Sequence, residues 1–171
     1  MPPLGKRRNS RYTAALMSIW HSEVALEDLH KFHHDTLVQH LDIRFTEIGP
    51  DFIRGTMPVD YRTVQVMGIL HGGASVALAE TLGSLAASLC LDLDTKSCVG
   101  QEINANHLRP VPLGSSVTGT ARPIHLGKRS QVWQIEIRDE RERLVCISRL
   151  TMAVLDRPTA PIAARWERGN S

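Results

Sequence analysis

The sequence predicts an α+β domain in which an antiparallel sheet wraps around one long central helix. An unbroken helical pattern at 72–91 is preceded by two strand-like runs and followed by four more, with turns of proline, glycine or acidic residues between them. A shorter helical pattern begins the folded part. The 171 residues fit one domain with tails, and a chain of this length buries roughly 70% of its unfolded surface.

The individual elements are predicted from the spacing of apolar residues. Residues 24–41 have leucine and phenylalanine at helical intervals, which indicates one helix. Alternation over 43–48 and 52–59 indicates two strands joined by a turn at 49–51. The four later strands are expected to pair in chain order, as a meander, and they lie at 96–109, 115–126, 130–139 and 143–155.

The formal charge of +2, from 20 basic and 18 acidic residues, is unevenly distributed along the chain. Residues 1–16 carry +4 and residues 157–171 carry +2, so the residues between them carry −4. We therefore expect two solvated, disordered basic tails outside a single domain at 17–156. Met17 is an alternative start of the chain. Because the surplus of basic residues belongs to the tails, it gives no reason to expect a nucleic-acid partner.

Composition excludes several classes of protein. With 42% hydrophobic and 22% charged residues, the chain is neither collagen-like nor disordered. Its three cysteines have no metal-ligand spacing, so we expect reduced thiols and a cytoplasmic location. No apolar run reaches the length of a membrane span, and no membrane partner is expected. Only 5% of the residues are aromatic, which favours a substrate pocket lined by aliphatic and small side chains.

The long helix has two different faces. Its large leucines are expected to face the sheet, and they are Leu78, Leu82, Leu85 and Leu89. The opposite stripe holds small residues around a single carboxylate, namely Gly73, Ala77, Glu80, Ser84 and Ala87. A solvated helix face of that length normally carries several charges, so we expect another chain or a ligand cleft to cover this face.

Glu80 has two interpretations that the spacing leaves open. It is a buried acid satisfied by Ser84 one turn later, or it is a functional carboxylate in a cleft. No basic residue lies within one turn of it, and an unpaired ionised carboxylate in a protein interior costs several kcal/mol. His71 and Gly72, at the start of the helix, favour the functional interpretation. Backbone N–H groups at a helix start have no partner within the helix, and glycine lets a ligand oxygen come close to them. Such an arrangement is typical of a site that polarises a carbonyl, with Gln65 as a second donor.

The stretch at 64–86, VQVMGILHGGASVALAETLGSLA, resembles the hotdog-fold acyl-CoA thioesterases of the phenylacetate-pathway type. Within these it is most similar to the 1,4-dihydroxy-2-naphthoyl-CoA hydrolase group, and the similarity covers roughly residues 17–156. Its other matching segments are MPVD at 57–60, VGQEINANHLRP at 99–110, RPIHLGKRSQ at 122–131 and RLTMAVL at 149–155. The resemblance implies the hotdog fold, homodimers with active sites at the subunit interface, and pairing of dimers into tetramers.

The resemblance also implies roles for individual residues. Glu80 matches the helix glutamate that attacks the thioester carbonyl or activates water, and the sequence does not choose between these mechanisms. Gln65 and the Gly72 amide match the groups that polarise the carbonyl, and His71 matches the histidine beside them. The residues that place water or substrate, expected to come with Glu80 from the partner subunit, are Ser84 and His107.

The coenzyme A part of the implied substrate needs positive charge on an acidic domain. Arg109, Lys128 and Arg129 are the expected sources, while Gly100 and the segment 107–110 are expected to border the pantetheine. The remaining expected contacts are Pro110, His125, Gly127 and Ser130. Thioester hydrolysis requires a nucleophile or base and a carbonyl polariser, so no metal or separate cofactor is expected.

The expected activity is hydrolysis of an acyl-CoA, with an aryl or medium-chain acyl group, to the free acid and CoA. A hotdog hydratase or dehydratase is the alternative enzyme, but a mid-helix glutamate after HGG fits a thioesterase better. A non-catalytic acyl-CoA-binding regulator would need a DNA-binding module, for which the roughly 40 residues before the first strand are too few. A carrier-protein thioester is an open alternative to CoA. His30 and His34, one turn apart, are interpreted as surface or lid histidines rather than metal ligands.

Overall fold

The structure is a computed structural model that describes residues 18–22, 24–31 and 33–157. The elements are helices α1 (Leu26–Lys31), α2 (Leu37–His40) and α3 (Gly72–Leu89), and strands β1 (Arg44–Ile48), β2 (Ile53–Pro58), β3 (Lys96–His107), β4 (Ser116–Leu126), β5 (Ser130–Asp139) and β6 (Leu144–Asp156). The sheet packs around α3, which contacts β2 to β6. This confirms the predicted α+β class and the single central helix.

The predicted tails fall almost entirely outside the described residues. Of the segments 1–16 and 157–171, the structure describes only Arg157, whose N–H donates to the carbonyl oxygen of Thr95 at 2.9 Å. In the part of the chain that is described, no helix is both long and apolar enough to cross a membrane.

The six strands form one antiparallel sheet in the order β1-β2-β4-β5-β6-β3. Strands β4, β5 and β6 form a meander, but the prediction that β3 pairs with β4 is wrong. Strand β3 lies at the far edge, where Lys96 is opposite Asp156 and His107 is opposite Cys146 of β6. The reason is that the 18 residues of α3 span about 27 Å across one face of the sheet. The chain therefore re-enters the sheet on the side away from β2.

The single helix predicted at 24–41 is also wrong, because a turn divides it into α1 and α2. Asp35 in this turn has φ of 56°, a left-handed conformation that interrupts a right-handed helix. The Thr36 hydroxyl donates to the carbonyl oxygen of His33 at 2.7 Å, and the Asp35 N–H donates to Gln39 Oε1 at 2.6 Å. These side-chain bonds compete with helical ones, which explains why apolar spacing alone mispredicted the segment.

The face of α3 that packs on the sheet consists mainly of small residues. The buried positions are Ser75, Leu78, Ala79, Leu82, Gly83, Ala86, Ala87 and Leu89. Two predictions are therefore wrong. Ala87 was expected on the stripe opposite the sheet, but it is buried against the sheet. Leu85 was expected to face the sheet, but it is only half-buried and lies on the side that carries Glu80. Close approach of helix to sheet explains the pattern, since a Cβ on Gly83 would lie 2.5 Å from Leu150 Cδ2.

A buried tryptophan connects the sheet to the N-terminal segment. Trp133 on β5 is fully buried and stacks on Trp20, with ring centroids 6.4 Å apart and planes 4° from parallel. Trp133 Nε1 donates to Gln131 Oε1 at 3.0 Å, and Trp20 Nε1 donates to the carbonyl oxygen of Gly49 at 2.7 Å. Both indole N–H groups are thus satisfied, which a buried tryptophan requires.

The turn between β5 and β6 is organised by Asp139, which supports a prediction about pH. Its carboxylate accepts from the N–H groups of Arg141 and Arg143 and from Arg143 Nε, at 3.0, 3.0 and 2.8 Å. The hydrogen bond from the Arg143 side chain is the largest cause that lowers the pKa of Asp139 below its ordinary value of 3.8. The ionised carboxylate therefore stabilises the fold above about pH 4, and this contribution is lost as the pH falls through the lowered pKa of the folded state.

We expect Asp139→Asn to lower the melting temperature at pH 7, because the amide is neutral and cannot accept three hydrogen bonds equally well. The difference between wild type and variant should shrink as the pH is lowered below 4. Thermal unfolding between pH 2 and 8 measures it. A difference that is constant over this range would contradict the role assigned to the charge.

Candidate active site

The Glu80 carboxylate lies on a half-buried side of α3, next to the edge strand β3. The Ser84 hydroxyl, one turn later, donates to Glu80 Oε1 at 3.0 Å and lies 3.7 Å from Met152 Sδ. Among the described residues, no lysine, arginine or histidine forms an ion pair with Glu80. The serine therefore orients a half-buried carboxylate that has no cationic partner in the described part of the chain, and its hydrogen bond involves only one of the two carboxylate oxygens.

Gly100 supplies the surface against which this carboxylate rests. A Cβ at position 100 would lie only 2.5 Å from Glu80 Oε1. Gly100 stands at a bulge of β3, where the register with β6 shifts between Gly100 and Glu102. The backbone of the edge strand thus makes room for the carboxylate because Gly100 has no side chain. This role of Gly100 is more specific than the expected one of bordering the pantetheine.

This contact predicts that Gly100→Ala lowers turnover by ~10- to 100-fold, because a displaced catalytic group loses its attack geometry. Steady-state kinetics with an acyl-CoA substrate measure the loss. Since the effect acts through Glu80, the same substitution should cause little further loss when Gln replaces Glu80. Equal losses in both backgrounds would contradict a steric effect on the carboxylate.

The side chains around Glu80 form a cleft of about 380 Å³, called here the Glu80 cleft. Its lining consists of His33, Val38, Glu80, Thr81, Ser84, Leu85 and Ser88. The Thr81 and Ser88 hydroxyls donate to helix carbonyl oxygens one turn earlier, at 2.7 and 2.9 Å. Because these hydroxyl protons are already used, the wall beyond Glu80 is largely apolar apart from His33.

A second cleft, of about 320 Å³, lies at the N-terminus of α3 and is called here the Gln65 cleft. It is lined by Gln65, Ile69, Leu70, Gly72, Ser75, His107, Leu108, Arg109, Pro110 and Val145. Gly72 occupies the first helical position, where a backbone N–H has no intrahelical acceptor. His107 is packed closely against it, since a Cβ on Gly72 would lie 2.7 Å from His107 Nε2.

The Gln65 and His71 side chains are both fixed by local backbone groups. Gln65 Oε1 accepts from the N–H of Met67 at 2.6 Å, which directs the carboxamide nitrogen as a donor. His71 is the N-cap of α3, and its Nδ1 accepts from the N–H of Gly73 at 2.8 Å. His71 therefore caps the N-terminus of α3 in this structure. It is next in sequence to Gly72, which lines the same cleft as Gln65.

Within one chain, the predicted catalytic groups fall into two separate clefts. Glu80 and Ser84 line one cleft, whereas Gln65 and Gly72 line the other. The expectation that His107 accompanies Glu80 and Ser84 is wrong, because His107 lies against Gly72 of the same chain. The β-sheet causes this grouping: His107 ends β3 and is far along that strand from Gly100, which contacts Glu80.

The predicted coenzyme A contacts are also divided. Arg109 and Pro110 line the Gln65 cleft, with Arg109 Nη1 donating to the carbonyl oxygen of Leu144 at 2.5 Å. The turn between β4 and β5 closes with a 2.9 Å bond from the Gly127 N–H to the carbonyl oxygen of Ser130. Neither cleft is lined by the members of this turn, which are His125, Gly127, Lys128, Arg129 and Ser130.

The three cysteines are poor candidates for the nucleophile. Burial raises the pKa of Cys90 to about 12 and also raises the pKa values of the Cys98 and Cys146 thiols. Thiols with raised pKa values stay protonated near neutral pH and react slowly.

Across residues 18–22, 24–31 and 33–157, no group of three His, Cys, Asp or Glu side chains is placed to hold a metal ion. The His30 side chain lies outside the described part of the structure.

Sequence reasoning missed several residues of the Glu80 cleft. Thr81 and Leu85 could have been found from their positions, because they are one turn apart on α3 and each directly follows Glu80 or Ser84 in the sequence, so they form the adjoining stripe of the helix. Val38 had no such signal, because it reaches the cleft only through the packing of α2. His33 has no signal of its own in the sequence, although its neighbour His34 is one of the histidines interpreted above as surface or lid residues.

The comparisons with known proteins agree with this geometry. The sequence profile of the Thioesterase superfamily matches residues 67–146. The chain is 54% identical over 137 residues to the 1,4-dihydroxy-2-naphthoyl-CoA hydrolase of Escherichia coli K12, covering 80% of this chain and 99% of that protein. It is 50% identical to the proofreading thioesterase EntH of Cronobacter turicensis, covering 80% and 98% respectively. A crystal structure of a thioesterase from Haemophilus influenzae aligns with a TM-score of 0.78 and 54% identity over 81% of this chain and 95% of the other.

These similarities confirm the hotdog architecture and the resemblance found in the sequence motifs. They span the folded domain rather than one motif, and the named relatives are hydrolases and thioesterases rather than hydratases. The chain therefore belongs to the thioesterase superfamily, and it is a thioester hydrolase.

Proposed function

We propose that this protein hydrolyses an acyl-CoA to the free acid and CoA at a site shared by two subunits of a homodimer. The observation that carries the proposal is the separation of the Glu80 cleft from the Gln65 cleft within one chain. A carboxylate and the donors that polarise a carbonyl must act on the same thioester. A second copy of the chain would bring the partner subunit's Gln65 and Gly72 to Glu80.

Each group then has a defined chemical role. The Gln65 carboxamide N–H and the Gly72 amide N–H donate to the thioester carbonyl oxygen, where negative charge develops in the transition state. In one mechanism Glu80 attacks the carbonyl carbon, the C–S bond breaks with CoA leaving as a thiolate, and water hydrolyses the resulting anhydride. In the other, Glu80 accepts a proton from the water whose oxygen attacks the carbonyl carbon, the C–S bond then breaks, and the CoA thiolate leaves and takes up a proton. Ser84 orients the carboxylate in both cases, and His107 places water or substrate.

The CoA moiety is assigned to Arg109 and to the basic turn between β4 and β5. Arg109 and Pro110 border the Gln65 cleft, and the turn carrying Lys128 and Arg129 offers two further cations for phosphate. His125, Gly127 and Ser130 shape that turn, and Gly100 lies where the pantetheine would pass Glu80. Neither the nucleophile nor the polariser is assigned to a metal or separate cofactor, and CoA is part of the substrate.

The acyl group is proposed to be aryl or medium-chain, since the Glu80 cleft is small and largely apolar. The Escherichia coli relative is named for a hydroxynaphthoyl-CoA substrate, which is consistent with an aryl group. Pairing of two dimers and a cytoplasmic location complete the proposal. The three free thiols, Cys90, Cys98 and Cys146, are consistent with a reducing compartment.

Release of free thiol from a panel of aryl, enoyl and straight-chain acyl-CoA substrates tests the activity. The same acyl groups on a carrier protein distinguish the two thioester carriers. Release that depends on the enzyme with at least one aryl or medium-chain acyl-CoA is expected. No release from any of the CoA substrates would contradict the proposal.

Subunit complementation tests the shared site. Glu80→Gln and Gln65→Ala homodimers should both be nearly inactive, and subunit exchange between them should restore activity. A hybrid dimer holds one site with both residues intact, so an equal mixture regains ~25% of the wild-type sites. If no activity returns after exchange has been verified by mass, the two residues act within one subunit and the shared site is wrong.

A further inference from the structure

The wall of the Glu80 cleft is shared with a neighbouring cleft of about 480 Å³ that the proposed reaction does not use. This neighbouring cleft is called here the Phe45 cleft, and its lining combines the apolar side chains of Val38, Ile43 and Phe45 with polar ones that include the charged Asp42 and Arg44. Of the described residues, only His33 and Val38 line both clefts. These two side chains therefore stand between the Glu80 carboxylate and a second cleft of comparable size.

His33 is held in this position from several sides. Its ring lies against Phe45, with centroids 5.1 Å apart and planes tilted by 43°, and Phe45 is itself buried. Its carbonyl oxygen accepts from the Thr36 hydroxyl at 2.7 Å. The left-handed Asp35 that follows directs the chain away into α2. A ring packed on a buried ring and anchored through its backbone forms a defined wall rather than a freely rotating surface side chain.

We propose that His33 is a specificity-determining residue that limits the length of the acyl group by separating the Glu80 cleft from the Phe45 cleft. The inference rests on the proposed function, because it identifies the Glu80 cleft as the acyl-binding end of that site. An acyl group whose carbonyl carbon lies at Glu80 extends along Val38 and Leu85 until it meets the His33 ring. Short and medium chains end before the ring, whereas longer ones collide with it.

Truncation of the ring should join the two clefts. In His33→Ala the imidazole is lost while Val38 and Phe45 remain, so a longer chain gains apolar surface in the Phe45 cleft. Burial of part of the longer chain there favours its binding. In His33→Phe the ring and its contact with Phe45 are kept, so the limit on length should remain. The pair of variants therefore separates the bulk of the side chain from its polar nitrogens.

Calorimetric binding of two non-hydrolysable thioethers, hexyl-CoA and dodecyl-CoA, measures the limit without requiring turnover. The ratio of their dissociation constants should favour the dodecyl compound by ~10-fold more in His33→Ala than in wild type. The ratio should stay close to wild type in His33→Phe and in the control His40→Ala, because His40 lines neither cleft. Turnover of hexanoyl-CoA and dodecanoyl-CoA, measured in parallel, should show the same shift in the ratio of kcat/KM.

An unchanged ratio in folded His33→Ala would overturn the proposal, and so would a His33→Phe ratio that rises as far as that of His33→Ala. The two levels of inference fail differently. If neither substrate releases thiol, the proposed hydrolysis of acyl-CoA is wrong, while the binding ratio still decides whether His33 limits chain length.

Discussion

Glu80→Gln is expected to reduce turnover of an acyl-CoA by at least ~100-fold with little change in stability. The amide is nearly the same size as the carboxylate and can still accept the hydrogen bond from Ser84, so the packing against Gly100 is preserved. It is neither a nucleophile nor a base at neutral pH. Both mechanisms proposed for the site require the ionised carboxylate, and both therefore stop.

Steady-state kinetics with the best substrate of the panel measure this loss, and thermal unfolding confirms that the variant is folded. Glu140→Gln is the matched control, since it removes the same charge from an exposed turn between β5 and β6, where the side chain contacts Ser116. The control should keep wild-type kcat and KM. A Glu80→Gln enzyme that keeps the wild-type rate would remove the basis of the proposed mechanism, whichever step the carboxylate performs.

Trp133→Ala is expected to lower the free energy of unfolding by ~3–5 kcal/mol, the range for truncating a large buried aromatic side chain. The side chain is 0% exposed, and its removal leaves a cavity beneath the middle of the sheet. It also removes the stacking partner of Trp20 and leaves Gln131 without its bond to the indole. Loosening of the N-terminal segment should accompany the loss of stability.

Urea unfolding monitored by circular dichroism measures the change through the shift of the midpoint at constant slope. Tyr61→Ala is the control, because the Tyr61 side chain is 84% exposed and truncation at such a surface site changes stability by at most ~0.5 kcal/mol. Comparable losses in the two variants would show that Trp133 has no special place in the core.

The parts of the fold that could be predicted are those determined by residues close together in the sequence. All six strands and α3 have apolar patterns of one period over many residues, and the structure places them within a few residues of the predicted ends. The placement of β3 depended on where α3 delivers the chain, which no local pattern encodes. The break between α1 and α2 depends on the left-handed Asp35 and on hydrogen bonds of Thr36 and Gln39, and these compete with an otherwise helical spacing.

The sequence predicted individual residues of the site but not their arrangement in space. The motif resemblance identified Glu80, Gln65 and Gly72, but it did not show that they line two clefts of one chain. His107 was grouped wrongly with Glu80 and Ser84 because the resemblance indicates only the role of a residue. Its position against Gly72 follows from how β3 pairs in the sheet. His33 and Val38 are more than forty residues from Glu80 in the sequence, so their contact with its cleft arises from tertiary packing alone.

The pairing of β3 with β6 also determines the order in which the site can assemble as the chain is made. Gly100, which supports the Glu80 carboxylate, belongs to β3, and the partner of β3 is the last strand of the sheet. The pair Lys96 and Asp156 are 60 residues apart, so this edge closes a long loop and forms slowly relative to the hairpins. The Glu80 carboxylate thus reaches its place against β3 only after β6 has left the ribosome, and we expect a nascent chain truncated within β6 to hold every residue of the proposed site without forming the site.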